Sequence, residues 1–146
     1  MDAVVLAGGR ADHNDPLYPL CEEDYKSLLK IAGKPMVQWV LDALSTSKTV
    51  EQVVLIGLED QPDLSCSKPL ALLPDKGTLI ENIIQGAGYL QAHRPDQSHM
   101  LTISADIPAI TGEIIDQMSG IFANYDLDIC YAVIERSIME SRFPES

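Results

Sequence analysis

Three features of this 146-residue chain have the chemistry to handle an anion, and they stand far apart along it. The first is Gly8-Gly9-Arg10, which closes the apolar run Ala3-Val-Val-Leu-Ala7. With no Cβ in the way, two glycines let the backbone turn sharply and come close to a ligand. A strand that ends in a glycine turn and then a cation is a common receptor for phosphate. The same turn also occurs for purely structural reasons, so its meaning depends on what else converges on it. The second feature is basic: Arg10, Lys26, Lys30 and Lys34 are four of the ten Lys and Arg, all within the first 34 residues. That suits an anionic ligand near the N-terminal half, as it suits a lysine-bearing surface. The third is Asp106, in Ser104-Ala-Asp-Ile-Pro108, just past an apolar run. His13, His93 and His99 are scattered, and read as solvent or packing residues.

These groups must be positioned by regular elements. Residues 3–7 form a continuous apolar run of the kind buried on both faces of a sheet. Residues 11–25 are polar, with two prolines and five carboxylates, and read as a long loop of functional or mobile kind. Lys26–Ile31 reads as a short extended piece. Pro35 opens a helix at its first turn, with Met36, Val37, Val40, Leu41 and Leu44 at core spacing and Trp39 near the edge. Gln52–Gly57 is a second buried strand, and 69–74 a short third one between prolines. After the turn Asp75-Lys76-Gly77, Thr78 and Glu81 fit a capping box, opening a helix with Ile80, Ile83, Ile84, Ala87 and Leu90 on one face. Gly86 and Gly88 weaken that helix, which points to close packing against a neighbour.

His99–Ser104 is a fourth strand, Thr111 caps a helix carrying Ile114, Ile115, Met118 and Ile121, and Leu127–Ile134 is a fifth strand. Strands alternating with helices imply βαβ units and a largely parallel sheet covered on both faces. Ligands of such sheets sit at the C-terminal ends of the strands, where both the Gly8-Gly9 turn and Asp106 fall.

Length suits one domain with a real core. The net charge of −12 argues against nucleic-acid and anionic-membrane partners, and the plainer meaning of the acidity is solubility. Met1-Asp2 lacks the basic start of a signal peptide, and no run approaches a membrane span. Cys21, Cys66 and Cys130 show no metal-ligand spacing, so the expectation is a cytoplasmic protein with reduced thiols. A dinucleotide-binding Rossmann site is excluded, because the first turn lacks GxGxxG and no helix follows it directly. A P-loop fails too, since Gly33-Lys34 is followed by Pro35.

The remaining pattern is Leu6-Ala-Gly-Gly-Arg10, then Lys26-Ser-Leu-Leu-Lys-Ile-Ala-Gly-Lys-Pro-Met36, then Ser104-Ala-Asp-Ile-Pro108. As a composite, in this order, it resembles the MobA-like NTP transferase family. The resemblance implies a three-layer α/β/α Rossmann-like domain. The activity it implies is transfer of a nucleotidyl group from an NTP to a phosphorylated acceptor, a sugar phosphate or cofactor precursor, with Mg²⁺ and release of pyrophosphate. It assigns Leu6, Ala7, Gly8 and Gly9 to the loop around base and phosphates, Lys26 to the signature lysine facing the α-phosphate, and Asp106 to the metal. Gly77, at the end of the third strand, falls on the base side. Such transfer needs positioning and cations on developing charge more than covalent help, and Mg²⁺ takes one or two carboxylates beside phosphates and waters. The rival reading of Asp106 is a helix-capping aspartate, which Pro108 and the later Thr111 disfavour.

Two departures qualify the resemblance. The family commonly has another glycine and arginine in the first loop, where this chain offers only Arg10, a phosphate contact or a surface residue. The family's chain also usually continues into acceptor-binding structure and a second metal ligand. Residues 1–146 are therefore expected to be the nucleotide-binding part of a single, incomplete nucleotidyltransferase domain. The alternative is a non-catalytic nucleotide-binding or regulatory module of the same fold. Base, acceptor and oligomeric state are left open.

Overall fold

The computed structural model describes residues 1–12, 14–21, 25–61 and 63–144; His13 and the loop acids Glu22, Glu23 and Asp24 lie outside the described residues. The apolar run at the N-terminus becomes β1 (Asp2–Leu6), buried at every position but the last. Residues 26–31 are not one extended piece. A single 3-10 turn, Lys26–Leu28, leads into a small antiparallel hairpin of β2 (Lys30–Ile31) and β3 (Lys34–Pro35). Helix α1 (Met36–Thr46) begins one residue later than expected, with Pro35 as its N-cap.

There follow β4 (Val53–Ile56), β5 (Leu70–Leu73), α2 (Leu79–His93), β6 (Met100–Ser104), α3 (Gly112–Phe122) and α4 (Arg136–Arg142). The capping box forms as expected: Thr78 Oγ1 accepts from the Glu81 amide at 3.2 Å and donates to Glu81 Oε2 at 2.8 Å. Thr111 Oγ1 likewise accepts from the Ile114 amide, at 3.3 Å.

The four longer strands form one parallel sheet in the order β5-β4-β1-β6. Alternation along β1 divides the core. Ala3, Val5 and Ala7 join Val37, Val40, Leu41, Leu44 and Ile115 on the α1–α3 face, whereas Val4 joins Val54, Ile56 and Leu90 under α2. This is the expected three-layer α/β/α arrangement. Each fully buried Val or Leu contributes about 1.5–3 kcal/mol of transfer free energy, and β1 supplies residues to both sides.

The expected apolar stripe of α2 is rotated. Its buried positions are Asn82, Gly86 and Leu90, and Ile80 and Ile84 are 62% and 64% exposed. Gly86 decides this, because a Cβ there would stand 2.6 Å from Val4 Cγ1, so only a glycine lets the helix come this close to β1. On α3, similarly, Ile115 is buried while Ile114, Met118 and Ile121 face outward.

Leu127–Ile134 is not a fifth strand. It has no regular structure, and Ile129, Tyr131 and Val133 are 84%, 85% and 79% exposed. A strand needs a neighbour to take its N–H and C=O groups; β6 pairs only with β1, and nothing among the described residues bonds to this segment as a strand.

Candidate active site

The glycine turn sits at the C-terminal edge of the sheet, and several backbone bonds fix it there. The Ala7 amide donates to Ile56 O at 2.9 Å, the Ala105 amide to Leu6 O at 3.1 Å and the Lys26 amide to Gly9 O at 3.2 Å. Buried Ser27 adds its hydroxyl to Ala7 O at 2.8 Å. Arg10 and Tyr25 form an antiparallel bridge. Segments from β1, the loop before β2, and β6 are thus tied to one another within a few residues of Gly8 and Gly9.

The turn is also crowded from the β4–β5 side. Gly57, at φ +100°, packs so close that a Cβ on it would lie 2.3 Å from Gly8 Cα. A Cβ on Gly8 would lie 2.7 Å from Asp75 Cγ. Gly57 is required both by its backbone contact with Gly8 and by a conformation that L side chains rarely adopt, whereas a Cβ on Gly8 would have to push the Asp75 side chain aside.

The structure therefore brings Leu6, Ala7, Gly8, Gly9, Arg10 and Lys26 to one place. Asp106 stands two residues beyond β6, next in the sheet to β1, and is exposed at the same edge. Gly77, at φ +96°, follows β5 on the far side of β4 and reaches the turn through Asp75, whose Oδ1 accepts from the Gly77 amide at 3.0 Å. No side-chain contact ties Asp106 directly to Lys26; Asp106 Oδ1 accepts from Ser104 Oγ at 2.5 Å.

The cations have acidic or aromatic company. Lys26 Nζ makes an ion pair with Asp15 Oδ2. That contact holds the Asp15 carboxyl below, and the Lys26 ammonium above, its ordinary value. Arg10 donates to Tyr25 Oη at 2.9 Å, its guanidinium 4.8 Å from that ring's centre. Asp75 and Asn82 are the residues that sequence reasoning missed. Asn82 Nδ2 donates to Asp75 Oδ1 at 2.7 Å, and that bond, with the Gly77 amide, keeps the Asp75 carboxyl below its ordinary value. The only available signal was a polar residue in the first turn of an apolar helix, seven residues after Asp75.

His93 and His99 are occupied elsewhere, His93 stacked on Tyr89 and His99 edge-on to Phe122. Among the described residues no group of three or more His, Cys, Asp or Glu is placed to hold a metal. Two hollows, about 320 Å³ along His93–Gln97 and about 280 Å³ between Met1, His99 and Phe122, open at the opposite end of the sheet.

The description of the MobA-like NTP transferase domain matches residues 3–140. The chain belongs to that family. Bifunctional protein GlmU from Exiguobacterium sibiricum is 30% identical over 125 residues, covering 80% of this chain and 24% of that protein. The structure is similar to a hypothetical transferase from Thermus thermophilus (TM-score 0.75, 28% identity, 99% of this chain and 55% of that one). It is also similar to 4-diphosphocytidyl-2C-methyl-D-erythritol synthase from Anaerococcus prevotii (TM-score 0.63, 15% identity, 93% and 59%). The chain thus spans about half of these solved structures and a quarter of its curated relative. The Rossmann-like nucleotidyltransferase fold is shared throughout. No helix among the described residues is long and apolar enough to cross a membrane.

Proposed function

We propose that residues 1–146 are the nucleotide-binding part of a nucleotidyltransferase, which moves NMP from an NTP to a phosphorylated small-molecule acceptor and releases pyrophosphate. The observation that carries this reading is the bond from the Lys26 amide to Gly9 O, which ties the loop's one signature cation to the glycine turn. The backbone amides of Gly8 and Gly9 receive phosphate oxygens, and Lys26 neutralises charge on the α-phosphate as the acceptor oxygen attacks and the bond to the β-phosphate breaks. Arg10 adds charge on the same side. Gly77 and the Asp75 carboxylate face the base, where Asp75 accepts hydrogen bonds.

The residues present fit Mg²⁺. Asp106 is an exposed carboxylate at a strand end, and its company of a hydroxyl leaves an oxygen for an ion. With no three-residue cluster among the described residues, Asp106 would hold the ion together with phosphate oxygens and water, as is usual for this ion at nucleotide sites. The ion would supply charge neutralisation on the phosphates. That sparse protein shell also favours a second reading, a non-catalytic nucleotide-binding or regulatory module. Cys21, Cys66 and Cys130 as free thiols support a cytoplasmic setting.

The test is pyrophosphate release from each of the four NTPs, with Mg²⁺ and a panel of sugar phosphates. Release that depends on acceptor and metal is expected. With a longer chain that carries the acceptor-binding part, tight NTP binding without release under any acceptor would establish the module instead, and no NTP binding at all would end both readings.

A further inference from the structure

Within the site just assigned, the lysine is not waiting free. Lys26 Nζ is engaged by Asp15 Oδ2, and the Asp15 side chain is only 16% exposed. Asp15 is not a long side chain that happened to reach a cation. Its other oxygen accepts from the Leu17 amide at 2.9 Å, its carbonyl accepts from the Tyr18 amide at 2.9 Å, and its own amide donates to Asp12 O at 3.0 Å. Two further bonds shape the segment: Asp12 Oδ1 accepts from the Asn14 amide at 2.6 Å, and the Leu20 amide donates to Leu17 O at 2.9 Å. Among the described residues, the stretch from Asp12 to Leu20 is therefore a folded turn that presents the Asp15 carboxylate to the Lys26 ammonium. That carboxylate offers Lys26 what a phosphate oxygen would offer, a negative charge at hydrogen-bond distance.

We infer that Asp15 is a latch that stands in for the nucleotide on Lys26, and that a triphosphate binds by displacing it. This rests on the nucleotide reading above and goes beyond it by naming what the ligand competes with. Lys26 cannot neutralise a carboxylate and a triphosphate at full strength together, and a carboxylate left beside the phosphates would repel them. The pair is partly open to water, with Lys26 at 39% side-chain exposure, so the exchange is affordable. The ligand class is a di- or triphosphate with its counter-ion. The latch excludes weaker anions, and its release frees the Asp15 carboxylate from Lys26.

The experiment is calorimetric titration of the full chain, and of Asp15→Asn, Lys26→Ala and the double variant, with each NTP and Mg²⁺. Asp15→Asn is expected to bind about two- to fivefold more tightly, the scale of an exposed ion pair. The gain should vanish in the Lys26→Ala background. Amide hydrogen exchange supplies a second readout: the Leu17 amide, capped by Asp15, should exchange faster when nucleotide saturates the protein. If wild type binds NTP and loses affinity with Lys26→Ala, while Asp15→Asn binds equally or less well, the latch is overturned and the nucleotide site stands. If no variant binds any NTP, the site assignment fails and the latch with it.

Discussion

The two ends of β1 each carry an ion pair, and they are built in opposite ways. At the N-terminal end Asp2 is fully buried, with the Arg94 guanidinium 3.3 Å away; Arg94 also pairs with Glu51, and Glu51 lies 3.9 Å from the Met1 ammonium. At the C-terminal end Lys26 and Asp15 pair on the loop that the Lys26 amide ties to Gly9; Arg10 and Asp106 are exposed at the same edge of the sheet. A buried carboxylate cannot be left without its partner, so the first network holds the chain's start to the end of α2. A pair that is partly open to water gains less and can exchange partners. The same chemical groups make a clasp at one end and, in the proposed function, a receptor at the other, and the difference lies in the one fully buried carboxylate, Asp2, because the other members of both pairs keep some contact with water. The hollows along His93–Gln97 and between Met1, His99 and Phe122 lie at the clasp's end of the sheet.

The sharpest way to break this contrast is to remove one cation from each end. Lys26→Ala should lower turnover by about 10²- to 10³-fold with an unchanged melting curve; retained activity would dissolve the receptor. Next, Asp106→Asn should weaken Mg²⁺-dependent nucleotide affinity by at least about tenfold, measured by titration with and without the ion. At the other end, Arg94→Ala should lower Tm by about 5–10 °C and leave nucleotide affinity alone, since it strands Asp2 without touching the glycine turn. Gly57→Ala lies between the two behaviours. Its backbone strain and the contact with Gly8 should cost roughly 1 kcal/mol or more of stability and weaken nucleotide binding as well.

The smallest effect concerns pH and a third carboxylate. Asp116 accepts from Ser47 Oγ at 2.6 Å and from the Lys48 and Thr49 amides at 2.9 and 3.0 Å, joining α3 to the end of α1. Those bonds, Ser47 first, hold its carboxyl far below the ordinary value of 3.8. Its folded-state value is depressed, so its stabilisation is complete above the unfolded value and is lost as pH falls toward the folded one. Asp116→Ala should therefore lower Tm by a few degrees near neutral pH, with the gap to wild type closing progressively below about pH 4.

The core was readable because β1, β4 and α1 are buried by their own pattern. An unbroken apolar run and a 3.6-residue stripe each leave one arrangement. The capping box at Thr78 was readable for the same local reason. The orientation of α2 was not, because it follows from Gly86 meeting Val4, and closest approach outweighs the number of isoleucines on a face. Leu127–Ile134 has the composition of a strand, but a strand exists only where a neighbour takes its hydrogen bonds. In the candidate site, the glycine turn, Lys26 and Asp106 could be named from motif order. Asp75, Asn82 and Asp15 could not: Asp75 matters through Gly8 at the far end of the chain, Asn82 only through its bond to Asp75, and Asp15 through a folded loop whose acids look alike in sequence.

A crystal structure of the chain with a non-hydrolysable NTP and Mg²⁺ tests the central claim most directly. The account predicts phosphate oxygens on the Gly8 and Gly9 amides and on Lys26 Nζ, with the ion against Asp106 and Asp15 withdrawn. A nucleotide bound elsewhere, with Lys26 and Asp106 untouched, would contradict it.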